Sequence, residues 1–451
     1  MRTRWLTALI GIAIATTMVG AGVGQAPADG TRLRGAASEV ARWLRSVAIQ
    51  TGDGLAWPST PAANQTPIAN LYSGSPGVVL FFLELHHTTA QAADLDTARK
   101  GADWLLAQID RENQAGLYTG LAGIGFTLTE TWKATGDRKY RDGANRVVDR
   151  LKQLAKPVGD GVEWSPVSDI ISGSAGVGLY LVSAARELER PDALALAGAA
   201  GRRLIAQKIV AGGGAKWAMT PGSPTRLYPN FSHGTAGVAY FLVTLGQATK
   251  DARFLEAARD GANYLLSVAR TEGDVCLVFH HEPEQDGLDL FYLGWCHGPA
   301  GTARLWRQLA VATGEPSWTD WMRKSANGLK LSGVPEKTTP GFWNNVGQCC
   351  GSASVADFFL SYYHLSRDAE ALTLARRATD QILSKATRDD AGMRWIHAEH
   401  RVQPANLTAQ TGWMQGAAGI GAWLLRLDAF DRGKPIRIVL PDNPFGATAS
   451  R

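Results

Sequence analysis

Gly294-Trp295-Cys296-His297-Gly298-Pro299-Ala300-Gly301 and Gly347-Gln348-Cys349-Cys350-Gly351-Ser352-Ala353-Ser354 bound the stretch on which the reading of this chain turns. Each motif runs straight into an apolar segment, so each reads as the start of a buried helix. Three of the four cysteines of the chain sit in these two motifs. Three thiols at two neighbouring helix starts can hold a zinc ion and leave one coordination position open. The remainder of the chain is then expected to hold that site and a cavity around it.

Outward from this stretch the same signal repeats. A Gly-x-x-Gly step followed by an apolar run begins at Gly74, Gly120, Gly173, Gly234, Gly298 and Gly416, and Gly351 opens a variant with Ser354 in the last place. The runs, such as Val78 to Leu83 and Val238 to Leu242, are apolar nearly all round, which marks a helix buried on several sides. Between them lie amphipathic segments: Asp94 to Ile109, Asp137 to Ala155, Asp192 to Ile209, Asp251 to Ala269, Glu315 to Leu331 and Asp368 to Ala386, with Ala36 to Ala48 as a shorter first member. Several open on Asp, a good N-cap, and carry Lys or Arg outward. Seven apolar and seven amphipathic helices predict an all-α fold, a double-layered α/α toroid with the apolar helices inside. An open solenoid is disfavoured because its inner helices would expose apolar surface. Helix N-termini turn unpaired N–H groups toward one mouth of such a ring, and chemistry is expected there. The longest connections, including Lys216 to Phe231, Gly273 to Cys296 and Thr338 to Gln348, all precede inner helices and are rich in aromatic residues, His and Pro.

With 45% hydrophobic and 19% charged residues the chain can bury a large core. The net charge of +5 is spread over helix surfaces without a basic run, which argues against nucleic acid as a partner. Arg2 and Arg4, the uncharged stretch Leu6 to Gly24 and the Ala26-Pro27-Ala28 step predict a cleaved export signal over residues 1–28, with an uncleaved anchor as the alternative. Residues 29–435 are expected to form the toroid and 436–451 a C-terminal tail. Export makes the cysteines ambiguous, since four could form two disulfides in an oxidising compartment. A Cys276–Cys296 bond could form, whereas adjacent Cys349 and Cys350 would close a strained ring. Cys276 fits no motif and reads as a buried free thiol.

At these residues the chain resembles the lanthionine synthetase C-like family of lantibiotic cyclases, from about Tyr72 to Leu427. The resemblance rests on the seven ordered Gly motifs, Ser232-His233-Gly234, Trp295-Cys296 with Gly298, and Cys349 with Gly351. It implies a seven-fold α/α toroid with one zinc ion and the addition of a thiol to a dehydroamino acid, forming a thioether. It places the zinc ligands on Cys296, Cys349 and Cys350, the last in the Cys-Cys-Gly form where most members carry His. It also places the family's histidine on His233 and its aspartate on Asp169. The family's Tyr after the first zinc Cys is His297 here, and its Arg four residues before that Cys is Tyr292.

Three thiolates around zinc would keep a bound substrate thiol deprotonated and nucleophilic. His233 could take up or deliver the proton, Asp169 could fix a histidine tautomer or bind substrate, and His297 could serve substrate or a ligand sulfur. Each has a plainer reading as a cap, a loop contact or packing. His280 and His281 could shape the entrance. Trp164, Trp217, Trp295, Trp343 and Trp413 could line a cleft, although packing beneath the loops explains them slightly better. The expected partner is a peptide or small-molecule thiol, acted on by a monomer without stable membrane insertion. Two other readings stand: a secreted α/α-toroid carbohydrate enzyme, which would need paired carboxyl groups, and a zinc-containing binding module without catalysis.

Overall fold

The computed structural model describes residues 30–61, 66–223, 227–282, 291–339, 342, 344–398 and 405–446. The expected export signal lies outside them, as does Trp343. Among the described residues no helix is long and apolar enough to cross a membrane.

The helices alternate between two layers. Outer α1 (Gly30–Ser46) is followed by inner α2 (Ser75–Thr89) and outer α3 (Ala92–Gln108), then α4 (Leu121–Thr135) with α5 (Arg138–Leu154), and α6 (Ser174–Glu187) with α7 (Pro191–Ala206). Next come α8 (Thr235–Thr249) with α9 (Ala252–Val268), α10 (Pro299–Thr313) with α11 (Pro316–Leu331), and α12 (Ser352–Ser366) with α13 (Ala369–Ser384). Inner α14 (Ala417–Asp431) takes α1 as its outer partner and packs beside α2, which closes the ring. The fold is therefore the α/α toroid that the repeat predicts. Fully buried rings on the inner helices include Phe81, Phe82, Tyr180, Phe241 and Trp306.

Asp137, Asp251 and Asp368 accept from backbone N–H groups two residues on and cap α5, α9 and α13. Asp94 and Asp192 do not cap. Their helices start two residues and one residue earlier, and Asp94 instead takes Arg45 and Thr89 as partners. Inner helices have no side-chain cap: each starts at an extended Gly or its equivalent, as at Gly74 with φ −128°.

Among the described residues, six two-stranded antiparallel hairpins appear that were not legible in the sequence. β1 (Ile49–Thr51) pairs β2 (Gly54–Ala56), β3 (Lys156–Val158) pairs β4 (Gly161–Glu163), β5 (Ile209–Ala211) pairs β6 (Gly214–Lys216), and β7 (Ala269–Arg270) pairs β8 (Leu277–Val278). β9 (Thr387–Asp389) pairs β10 (Gly392–Arg394), and β11 (Ile396–Ala398) pairs β12 (Leu407–Ala409). At two or three residues each, they are too short to show an alternation. They explain four tryptophans. Trp57, Trp164, Trp217 and Trp395 follow a hairpin, and each indole N–H donates at 2.7 Å to a carbonyl 13 residues earlier near the end of the preceding outer helix. Trp164 and Trp217 are thus packing residues that satisfy helix-end carbonyls.

Residues 436–446 run inside the ring. Arg437 and Ile438 donate backbone N–H to Glu84 Oε2 of α2 at 2.9 and 2.7 Å, and Tyr240 of α8 donates to the Pro441 carbonyl at 3.3 Å. Asp442 is fully buried. Beside this segment a cavity of about 60 Å³ is lined by Glu84, Arg304, Asp357, Trp423 and Arg426 of the inner helices and by Ile436, Ile438 and Leu440.

Candidate metal centre at the mouth of the toroid

The Gly motifs place one residue of each loop in a common ring. Two positions before each motif's first glycine stand Tyr72, Tyr118, Ile171, Ser232, Cys296, Cys349 and Met414. Their backbones are joined in one direction around the mouth. Met414 N–H donates to Tyr72 O at 2.9 Å, Tyr72 to Tyr118 at 2.9 Å, Tyr118 to Ile171 at 2.9 Å, and the neighbouring Ile170 to Ser232 at 3.3 Å. Ser232 then donates to Cys296 at 2.8 Å, Cys296 to Cys349 at 3.0 Å, and Cys349 back to Met414 at 2.8 Å. Loops that would otherwise bury unpaired amides thereby satisfy one another. One residue further along stand Ser73, Thr119, Ser172, His233, His297, Cys350 and Gln415, every one polar or a thiol.

The glycines allow this layer to lie on the helices. A Cβ on Gly301 would sit 1.8 Å from the Trp295 carbonyl, and one on Gly419 1.7 Å from that of Trp413. In the sixth motif Ser354 takes the glycine's place, and its hydroxyl donates to Gly351 O at 2.9 Å and accepts the Trp295 N–H at 3.3 Å.

Cys296, Cys349 and Cys350 come together. Cys350 Sγ lies 3.2 Å from each of the other two sulfurs, and all three fall within 4.8 Å of one another. Among the described residues no other group of His, Cys, Asp or Glu gathers in this way. All four cysteines are free thiols, and Cys276 is buried elsewhere, its pKa pushed up to about 12 by burial. A tetrahedral zinc ion with bonds of about 2.3 Å needs sulfurs roughly 3.8 Å apart. The trio meets that spacing with small side-chain adjustments, and a donor set of three thiols suits zinc. As free thiols they share protons. Hydrogen bonds from Cys296 and Cys349 hold the Cys350 pKa well below the usual thiol value despite burial, while Cys296 is held well above it.

Asp169 and His233 form a pair. Asp169 Oδ1 accepts from the backbone N–H groups of Ser172 and Gly173 at 2.8 Å, at the start of α6. Its other oxygen, Oδ2, lies 2.6 Å from His233 Nδ1. A fully buried carboxylate aimed this way assigns the proton to Nδ1 and leaves Nε2 as the acceptor nitrogen. His233 is part-exposed at the mouth, and its ring lies 5.6 Å from that of His297.

His297 is buried. Its Nε2 lies 3.4 Å from Ser232 Oγ, and its Nδ1 has no hydrogen-bond partner. Burial, with the neighbouring imidazoles of His280, His233 and His281, pushes its pKa well below the usual value, so the ring is neutral near pH 7. His280 packs between His297 at 4.4 Å and Tyr292 at 4.2 Å, and Tyr228 faces His233, His280 and His297. One wall of the mouth is thus built from imidazoles and phenols. Trp295 faces the lumen, and Trp413 lines the inner cavity.

Tyr72 and Gln415 escaped the sequence reading. Tyr72 lies beside Cys349, and burial followed by the nearby sulfurs raises its pKa well above the usual value, which keeps the phenol protonated. Gln415 Nε2 lies 3.3 Å from Tyr72 Oη and 3.8 Å from Cys350 Sγ. Aligning the seven motifs on their first glycine would have found both, because they occupy the two positions that carry the cysteines.

The site is a three-thiol cluster at the mouth of a closed α/α toroid, a donor set that could hold a metal ion. The sequence profile of lanthionine synthetase C-like proteins matches residues 68–435. The chain belongs to the lanthionine synthetase C-like family. Among solved structures it is similar to a nisin cyclase at 15% identity and a TM-score of 0.63, covering 89% of this chain and 94% of that one. It is also similar to a glycoside hydrolase family 76 mannosidase from Bacteroides thetaiotaomicron VPI-5482, at 13% identity and a TM-score of 0.51, covering 88% and 98%. These likenesses concern the fold. No curated protein sequence matches the chain.

Proposed function

We propose that the protein forms carbon–sulfur bonds, adding a thiol to the C=C bond of a dehydroamino acid or similar electrophile. The observation that carries this reading is the convergence of Cys296, Cys349 and Cys350 beside the Asp169–His233 pair. Cys296, Cys349 and Cys350 would hold zinc, which when bound would supply the Lewis acidity that keeps a substrate thiol deprotonated at neutral pH. The part-exposed face of His233 takes the thiol proton on Nε2 while Asp169 stabilises the imidazolium. The S–C bond forms as the C=C π bond breaks, and the proton returned by His233 to the adjacent carbon completes the thioether. Neutral His297, with Tyr228, Tyr292 and His280, offers hydrogen bonds and ring faces to the acceptor and excludes water on that side. The basic start and apolar run of residues 1–28 support a site of action outside the cytoplasm.

A glycosidase needs two carboxyl groups facing one cleft. Asp169 is engaged by the start of α6 and by His233, and Asp357 pairs with Arg426 at 2.7 Å in the lumen. Neither arrangement favours the carbohydrate reading. The test is metal content per chain, together with thioether formation from a thiol and a dehydroalanine peptide. We expect one zinc per chain, lost in Cys349→Ser, and His233→Ala that keeps the zinc and slows addition by about 10²–10⁴-fold. Full activity in metal-free protein would overturn the proposal. Zinc with unchanged addition in His233→Ala would remove His233 from the mechanism, and zinc-loaded wild type that adds no thiol would point to a binding module.

A further inference from the structure

We propose that Asp442 is a positioning residue for the metal centre, delivered to it by the C-terminal segment inside the ring. The inference rests on Cys296, Cys349 and Cys350 being metal ligands. From Arg437 and Ile438, anchored on Glu84 in the third turn of α2, the segment climbs toward the mouth. There a single oxygen, Asp442 Oδ2, accepts from Trp295 Nε1 at 3.0 Å, Tyr118 Oη at 3.1 Å and Arg304 Nη1 at 3.2 Å. Arg304 also donates to the Asp442 carbonyl at 2.9 Å.

Both aromatic partners are tied to the sulfur trio. Trp295 is the residue before Cys296, and its ring is held between Tyr118 at 5.3 Å and Phe231 at 5.7 Å. Fixing the indole fixes the peptide that carries the Cys296 side chain. Tyr118 accepts the Tyr72 backbone N–H, and the Tyr72 side chain lies beside Cys349. One carboxylate thus braces the loops of two ligands from behind. A segment that only filled the lumen would be better apolar, because a buried carboxylate is costly unless its partners are well placed. Here it is matched by Arg304, and its donors are the two side chains that back the metal loops.

The test uses the full-length protein and cobalt(II), read by the thiolate-to-metal absorption and by competition with a chelator. Outer-sphere partners of metal ligands are worth about 10–100-fold in affinity. Asp442→Ala is expected to bind cobalt about 10-fold more weakly than wild type, with a shifted absorption spectrum, at a temperature where both are folded. Glu84→Ala loosens the same segment at its other anchor without touching Trp295, and it should change affinity by no more than about 2-fold if bracing is specific to Asp442. An unchanged Asp442→Ala, or an equal loss in Glu84→Ala, overturns the proposal. If Asp442→Ala does not fold, Asp442→Asn is read the same way, since it keeps the shape and loses the charge. Failure of both to fold while Glu84→Ala folds would assign Asp442 a folding role and also overturn it. Wild-type protein that takes up no metal would sink the metal reading itself, which is a separate outcome.

Discussion

At the scale of single residues, the Asp169–His233 contact decides which nitrogen of the histidine is available. Asp169 is itself held by two backbone N–H groups, so it cannot swing away to follow the ring. Replacing it with Asn removes the charge that stabilises the imidazolium. Asp169→Asn should therefore slow thiol addition by about 10²-fold or more while leaving zinc content unchanged. The ¹⁵N shifts of His233 should show the Nδ1–H tautomer in wild type and a mixture in the variant. An unaltered tautomer and rate would remove Asp169 from the mechanism. His233, Cys296, Cys349 and Cys350 were legible because the Gly motifs number the loop positions. Tyr72 and Gln415 share those positions but not their chemistry. A Tyr and a Gln announce nothing until three sulfurs are seen beside them.

At the scale of elements, each inner helix is pressed against the loop that leads into it. Gly301 of α10 and Gly198 of α7 are both helical glycines with opposite surroundings. A methyl on Gly301 would collide with the Trp295 carbonyl, whereas one on Gly198 meets only Arg202 Nη1 at 3.7 Å. Gly301→Ala is expected to cost on the order of 3 kcal/mol, because backbone cannot yield as a side chain can. Gly198→Ala should add about 0.5–1 kcal/mol through helix propensity. Denaturant unfolding of the two variants checks both signs, and a neutral Gly301→Ala would show that the loop is not pinned to the helix. The outer helices were readable from their amphipathic period. The six hairpins were not, because strands this short exist only by pairing across a turn at the end of a packed helix.

At the scale of the whole molecule, the lumen holds a carboxyl group with unusual titration. Burial pushes the Glu84 pKa from 4.5 up to about 7, against the pull of the Ile438 and Arg437 N–H groups. Between those two values the native state binds more protons than the unfolded chain, so this group makes stability fall as pH rises through that window. Its penalty is absent below about pH 4.5 and complete above pH 7, and it amounts to roughly 3 kcal/mol. Glu84→Gln keeps an acceptor for the two N–H groups and removes the ionisation. Its stability relative to wild type should climb across pH 4.5–7 and level off above. A difference between the two proteins that does not vary with pH would contradict the burial of an ionisable group at this point.

By itself the sequence determined the number of helices, their division into two layers, the closure of the ring and the three sulfurs. The helices follow from local periodicity and glycines at fixed places, closure from seven apolar inner helices that an open solenoid would expose, and the sulfurs from the two motifs that carry them. The tertiary structure alone decided what meets across the ring: the loop of backbone hydrogen bonds at the mouth, Tyr72 against Cys349, and Asp442 behind Trp295. Asp442 and Trp295 are far apart in the chain, and no periodic signal links a carboxylate near the terminus to an indole in the fifth loop. Their contact exists only because a closed toroid encloses a lumen wide enough for one irregular segment of chain.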